Sequence, residues 1–121
     1  MNDGTVFVCD RDNNRIQVFQ KDGKFLRQIV IDPKTLGAGS VWDMVASVDP
    51  GQKYLLVADG ENNRVNILLR ETGERLGSFG RAGRNAGDFH WVHNIAVDSK
   101  GNVYTTEVDN AKRAQRFTPA Q

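Results

Sequence analysis

Asp10-Arg11-Asp12-Asn13-Asn14-Arg15-Ile16-Gln17-Val18 returns later in the chain as Asp59-Gly60-Glu61-Asn62-Asn63-Arg64-Val65-Asn66-Ile67, a displacement of 49 residues. The same displacement carries Trp42-Asp43-Met44-Val45-Ala46-Ser47-Val48-Asp49 onto Trp91-Val92-His93-Asn94-Ile95-Ala96-Val97-Asp98, and Arg64 onto Arg113. A period of about 40–50 residues built from short β-runs and turn residues is the signature of propeller blades. Helical repeats of similar length need apolar residues at 3.6 spacing, and these segments lack it.

Within one unit the pattern predicts four strands, Trp42–Val48, Tyr54–Ala58, Arg64–Leu69 and Arg75–Phe79. Asp-Pro-Gly, Gly-Glu-Asn-Asn and Glu-Thr-Gly turns join them, and Asn and Gly tolerate the positive φ that tight hairpins require. Tyr54-Leu55-Leu56-Val57-Ala58 is apolar on both faces, as expected of a sheet held between two neighbouring sheets in a radial stack. The polar stretches Asp32–Gly39 and Gly80–Asp88 read as linkers from the outer strand of one blade to the inner strand of the next, and as the least constrained parts of the chain.

The expected organisation is a single all-β propeller segment of four-stranded antiparallel blades. It comprises a partial blade over residues 1–31, a blade over 40–80 and a partial blade over 89–121, about 2.5 blades in 121 residues. Closed propellers have roughly 4–8 blades, so each end blade is expected to offer an apolar face to a partner. The expected assembly is a homo-oligomer, a dimer of half-propellers closing one ring. Membership of a longer chain is the alternative.

Sixteen Lys and Arg against 15 Asp and Glu give a formal charge of +1, so no whole-chain field favours nucleic acid or an anionic membrane. No apolar run approaches the roughly 18 residues of a spanning helix, and the first residues lack the basic and apolar parts of a secretory signal. The single cysteine, Cys9, excludes an intrachain disulfide. A soluble protein is the expectation; the compartment stays open, with the cytoplasm favoured.

Asp10, Asp12 and Asn14 alternate as calcium ligands do. Arg15, however, stands where such a loop needs Gly, and Lys21 where it needs a bidentate Glu. The physical reading is a hairpin. Asp10 or Asp59 ends a strand, the Asn pair (Asn14, Asn63) makes the turn, and Arg15 or Arg64 opens the next strand, its guanidinium bridging back to a carboxylate or loop carbonyls. In the third unit the acid stands one position earlier, as Glu107, within reach of Arg113.

These residues carry a resemblance to the NHL-repeat family of β-propellers. It lies in Val8-Cys9-Asp10 through Val18-Phe19, in Val57-Ala58-Asp59 through Asn63-Arg64-Val65, and in Asn94-Ile95-Ala96-Val97-Asp98-Ser99-Lys100-Gly101-Asn102-Val103-Tyr104. The resemblance implies the propeller fold and a role in binding proteins, RNA or ligands. One branch is similar to the amidating lyase that cleaves peptidyl-hydroxyglycine, a zinc enzyme with histidines on inner strands, and His93 falls at a position matching such a ligand. Val92 replaces the proline common before that histidine, and one period earlier stands Met44, no ligand for Zn²⁺. His90 and His93, three apart on a strand, would face opposite sides.

Trp42 and Trp91 each start an expected inner strand, which points to packing near one rim of the central channel. The variable residues there, Trp42, Asp43, Met44, His90, Trp91 and His93, are the expected contacts to a protein or small ligand. Asp49 and Asp98 recur at turn entries and read as Asx-turn acceptors. Arg70, Arg75, Arg81 and Arg84 are offset by Glu71 and Glu74, and Lys112, Arg113 and Arg116 form a second basic group; both read as solvated rim, with nucleic acid not the expected partner. There is no Gly-x-Ser-x-Gly elbow and no phosphate loop. The sequence therefore reads as a non-enzymatic binding module without cofactor, associating through blade faces. The alternative is a partial or oligomeric lyase-like zinc enzyme with His93 as one ligand.

Overall fold

The computed structural model describes residues 1–120; Gln121, the last residue of the expected third unit, lies outside them. Ten strands form: β1 (Val6–Asp10), β2 (Arg15–Phe19), β3 (Phe25–Val30), β4 (Asp43–Ala46), β5 (Tyr54–Asp59), β6 (Arg64–Leu69), β7 (Arg75–Phe79), β8 (Val92–Val97), β9 (Val103–Glu107) and β10 (Ala114–Phe117). They make three antiparallel sheets, ordered β1-β2-β3, β4-β5-β6-β7 and β8-β9-β10. The all-β, propeller-type fold read from the repeat is the fold found. The first sheet has the second, third and outer strands of the complete middle sheet, whereas the third has its inner, second and third strands. No helix among the described residues is long and apolar enough to cross a membrane.

Sheet periodicity puts alternate residues on opposite faces, and both faces of the middle sheet are buried. Leu55, Val57 and Leu68 pack with Ile16, Ile29, Ile31 and Val41 at the first junction. Ala58 and Val65 pack with Phe89, Val92, Ile95 and Val103 at the second. This double burial is why β5 and β6 are apolar without alternation.

The turns follow the residues that make them. A short 3-10 turn, Arg11–Asn13, joins β1 to β2. Asn14 and Asn63 close the equivalent turns at φ 54° and 55°, a left-handed conformation Asn enters at lower cost than most residues. Asp98 accepts backbone N–H bonds from Lys100 and Asn102, and Asp49 accepts from Lys53.

The linkers, expected to be the least constrained segments, are pinned. Asp32 receives Arg64 Nη2 at 2.7 Å and Arg75. Ser40 is buried, its N–H donating to Asn14 Oδ1 at 2.8 Å. In the second linker Arg81 O accepts the N–H of Phe89, the fully buried residue just past the linker, at 2.7 Å. The physical reason is that each linker crosses the gap between two packed sheets, where its polar backbone must find partners in protein.

Candidate functional site

The rim is organised around Trp42. Its Nε1 donates to Gly39 O at 2.7 Å, and the Arg11 guanidinium lies 4.8 Å from the ring centre, a cation–π distance. A Cβ at residue 60 would fall 2.4 Å from the indole, so only glycine admits this packing. The Trp91 ring lies 6.2 Å from Trp42, the His93 ring meets Trp42 edge-on at 5.4 Å, and His90 stacks on Trp91 at 5.3 Å.

Trp91 does not repeat the backbone of Trp42. The Trp42 N–H donates to Ala58 O as the sheet continues, but Trp91 turns left-handed, at φ 50°. Asn63 Oδ1 accepts its N–H at 2.8 Å, and its carbonyl accepts from Val108 N at 3.2 Å. Two residues on, β8 slips: Val92 pairs with Glu107, and Asn94 then pairs with Thr106, leaving His93 as an unpaired bulge. Since Met44 pairs with Val57, its structural counterpart is Asn94. The 49-residue displacement that set Met44 against His93 is corrected here by one inserted residue. The two histidines also do not share a strand, because His90 precedes β8 and its Nε2 lies 3.5 Å from Asp109.

The six expected contact residues divide into two groups. Trp42 is half-buried, Met44 packs on the first core cluster, and Asp43 clasps two inner strands. Its Oδ2 accepts Ile95 N–H at 2.9 Å and its Oδ1 accepts Met44 N–H at 2.9 Å. Trp91 is 38% exposed, and His90 and His93 flank it with partial exposure. Arg11, Gly60 and Asn94, none of them singled out in the sequence, complete the cluster; only Gly60, aligned with Arg11, carried a hint.

His93 matches one ligand of the zinc centre of the lyase branch. Its Nδ1 lies 2.8 Å from Asn94 Oδ1, the nearby Asp43 carboxylate is held by backbone amides, and no three His, Cys, Asp or Glu side chains converge among the described residues. Three protein ligands are what such a centre needs.

The acid–arginine pairs support the rim from below. Arg15 Nε lies 2.7 Å from Asp10 and Arg113 Nε 2.8 Å from Glu107. Arg64 instead takes the linker residue Asp32 at 2.7 Å and stands 3.5 Å from Asp59. Arg113 also reaches back, donating to Arg84 O, Asn85 O and Asp88 O. Burial raises the Glu107 carboxyl, but Arg113, the His90 N–H and Gln115 outweigh it and hold the group below the usual Glu value. For Asp59 burial wins over the Asn62 hydrogen bonds and pushes the carboxyl up. Of the expected basic group, Arg70 pairs with Asp3, Arg75 with Asp32 and Arg81 with Asp88, so little free positive charge remains there.

A large cavity lies away from the rim. About 540 Å³ opens between the second and third sheets, walled by Leu56, Ile67, Phe79, Val103 and Phe117. At the first junction Arg27 lies over the Phe7 ring and donates to Arg70 O. Arg27 pairs with Val18 as Gly77 pairs with Ile67, so the register position that closes one junction carries no side chain at the next.

A family model for the NHL repeat matches residues 1–19. NHL repeat-containing protein 3 of Mus musculus is 32% identical over 126 residues, and that of Homo sapiens 34% over 122. Each comparison covers 96% of this chain and 33% of the relative; the chain spans about a third of the length of the curated relatives it matches. Among solved structures, a chain of Kuenenia stuttgartiensis hydrazine synthase matches with TM-score 0.65 and 12% identity, covering 86% of this chain and 26% of that one. A catalytically inactive virginiamycin B lyase from Staphylococcus aureus, with quinupristin, matches with TM-score 0.62 and 14% identity, covering 97% of this chain and 38% of that one. At these identities the likeness is one of fold.

Proposed function

Because the chain belongs to the NHL-repeat β-propellers, we propose that it is a binding module that offers the channel rim at Trp91 to a protein or small ligand, and that copies associate through blade faces. The observation that carries the rim assignment is the pair of backbone irregularities at one place, the left-handed Trp91 and the bulged His93. A bulky side chain at positive φ costs of order 1–3 kcal/mol, and such strain clusters at binding sites. A bulge re-aims a side chain without disturbing the rest of its sheet. Together they present an indole and two imidazoles on a base made rigid by Trp42, Arg11 and Asp43. Aromatic side chains so placed supply large contact area at small entropy cost, and Trp is enriched among residues that dominate binding energy.

The test is a mixed screen of small molecules and short peptides, read by the two indole N–H signals in ¹⁵N-correlated NMR spectra. Ligands are expected to shift the Trp91 signal first and to lose roughly 30-fold or more in affinity on Trp91→Ala, the hot-spot scale of about 2 kcal/mol. Ligands that shift only residues of the cavity between the second and third sheets would refute the rim assignment. Native mass spectra of untreated protein give the metal content in the same study, and stoichiometric metal lost on His93→Ala would return the lyase-like reading.

A further inference from the structure

The turns after β1 and β5 carry the same asparagine, and only the first of the two is covered. Asn14 Oδ1 accepts the N–H of Ser40, and Asn63 Oδ1 the N–H of Trp91, both at 2.8 Å. Each amide is thereby set the same way round, with Nδ2 left as the donor. Asn14 Nδ2 donates to Thr35 O at 3.0 Å, with Pro33 O at 3.5 Å, and the residue is only 7% exposed. Asn63 is half-buried, and among the described residues its Nδ2 meets only Glu61 O, at 3.5 Å. From this contrast we infer that the turns after β5 and β9 form a seat for a peptide segment of a partner protein, held as the first linker is held between the turns after β1 and β5. The inference rests on the reading of the Trp91 rim as a binding surface.

The first linker shows what such a seat holds. Besides the bonds from Asn14, Thr35 Oγ1 accepts Asn62 Nδ2 at 3.0 Å, and the Ala38 N–H donates to Glu61 Oε2 at 3.2 Å. Glu61 and Asn62 stand two and three residues past the turn acid Asp59; Asp109 and Asn110 stand two and three past Glu107, the acid of the turn after β9. Both of these are exposed. Asp109 Oδ2 lies 3.5 Å from His90 Nε2 without a hydrogen bond between them. The three side chains that hold the first linker are thus repeated one unit on, and among the described residues none of the repeats holds the second linker.

The second linker is drawn elsewhere. Trp91 follows Asn63 by 28 residues where Ser40 follows Asn14 by 26, and the longer path lies against the third sheet. Arg113 takes the carbonyls of Arg84, Asn85 and Asp88, and Gln115 takes the Gly87 N–H. Both linkers and all three turns are flanked by strands on either side, so the contrast is between two complete crossings. The requirements on an occupant follow from the three side chains: a carbonyl for Asn63, a second oxygen acceptor for Asn110 and an N–H for Asp109. A main chain bearing Ser or Thr offers all three at the spacing the first linker uses between Pro33 and Ala38. Trp91, 38% exposed and bonded to Asn63, adds an aromatic contact beside them.

The probe is a synthetic peptide with the linker's own sequence, Pro33-Lys34-Thr35-Leu36-Gly37-Ala38-Gly39, blocked at both ends and titrated into ¹⁵N-labelled protein. Wild type is expected to bind with a dissociation constant on the order of 1 mM, since a free segment is ordered on binding, and to shift the signals of Asn63, Asn110 and Trp91. Asn63→Asp keeps the acceptor for the Trp91 N–H and the tolerance of positive φ, but sets a carboxylate against the peptide carbonyl; affinity is expected to fall about tenfold or more. Asn110→Ala, at an exposed side chain, is expected to lower it about threefold, as is Thr35→Val within the peptide. Far-UV circular dichroism checks the fold, and Asn110→Ala carries the test if Asn63→Asp does not fold. No shift at Asn63 and Asn110 at several times the expected dissociation constant overturns the seat. So does an affinity unchanged in Asn63→Asp, or in Asn110→Ala where the first does not fold. Other ligands that still shift Trp91 then leave the rim reading standing, whereas a Trp91 signal silent to every probe removes both.

Discussion

Gly39→Ala is expected to destabilise the chain by about 2–5 kcal/mol, the largest effect foreseen for a single methyl group. Two penalties add. Gly39 has φ 77°, where an L-residue pays of order 1–2 kcal/mol. The new Cβ would also lie 1.9 Å from the Arg11 carbonyl oxygen, and overpacking typically costs about 1–3 kcal/mol. The obstacle is backbone on the turn beneath Trp42, so it cannot swing aside as a side-chain end could. Gly77→Ala is the control: a Cβ there would meet nothing within 4 Å and the φ is not positive, so the change should stay within about 0.5 kcal/mol. Urea unfolding of both variants checks the pair, and equal midpoints would contradict the close packing of Gly39 on the Arg11 turn.

Glu107→Gln is expected to cost about 2–4 kcal/mol at neutral pH, because its fully buried carboxylate takes two guanidinium N–H bonds from Arg113 together with the His90 N–H. Its folded-state carboxyl sits below the ordinary Glu value. The unfolded chain therefore binds the proton more readily. The contribution is complete above the ordinary value and disappears as pH falls through the lowered one. Asp59 carries the opposite sign. Its carboxyl is raised, so its contribution is complete below the ordinary Asp value and is lost as pH rises through the raised one. Asp59→Asn should consequently cost at most about 1 kcal/mol at neutral pH, the more so because Arg64 keeps Asp32. Unfolding free energies of both variants and wild type from acid to neutral pH test this. The Glu107→Gln deficit must shrink toward acid, and a deficit independent of pH would refute the assignment.

The fold was legible because what specifies it is local. Hydrophobic runs such as Tyr54–Ala58 and turn residues such as Asn63 recur at one period, and each unit needs only its own strands to be recognised. The rim was less legible. That Trp91 turns left-handed follows from Asn63 and Val108 holding its two peptide groups, both distant in sequence. The bulge at His93 inserts a residue that a constant displacement cannot register. The choice of Asp32 by Arg64 depends on a linker folding over the turn, and the opening between the second and third sheets depends on Gly77 replacing Arg27 after the turns have shifted the period by one. Each is a non-local contact or a change of register, and neither leaves a periodic trace.

Two arginines grip linkers that precede them in the chain. Arg64 holds Asp32, and Arg113 holds the carbonyls of Arg84, Asn85 and Asp88, in each case a segment some 25–32 residues nearer the N-terminus. On a ribosome, where the N-terminal part emerges first, the acceptors of these bonds are already made when the arginine appears. Each of these two junctions can therefore lock when the third strand of the newer blade arrives, so the stack grows in the order of its synthesis.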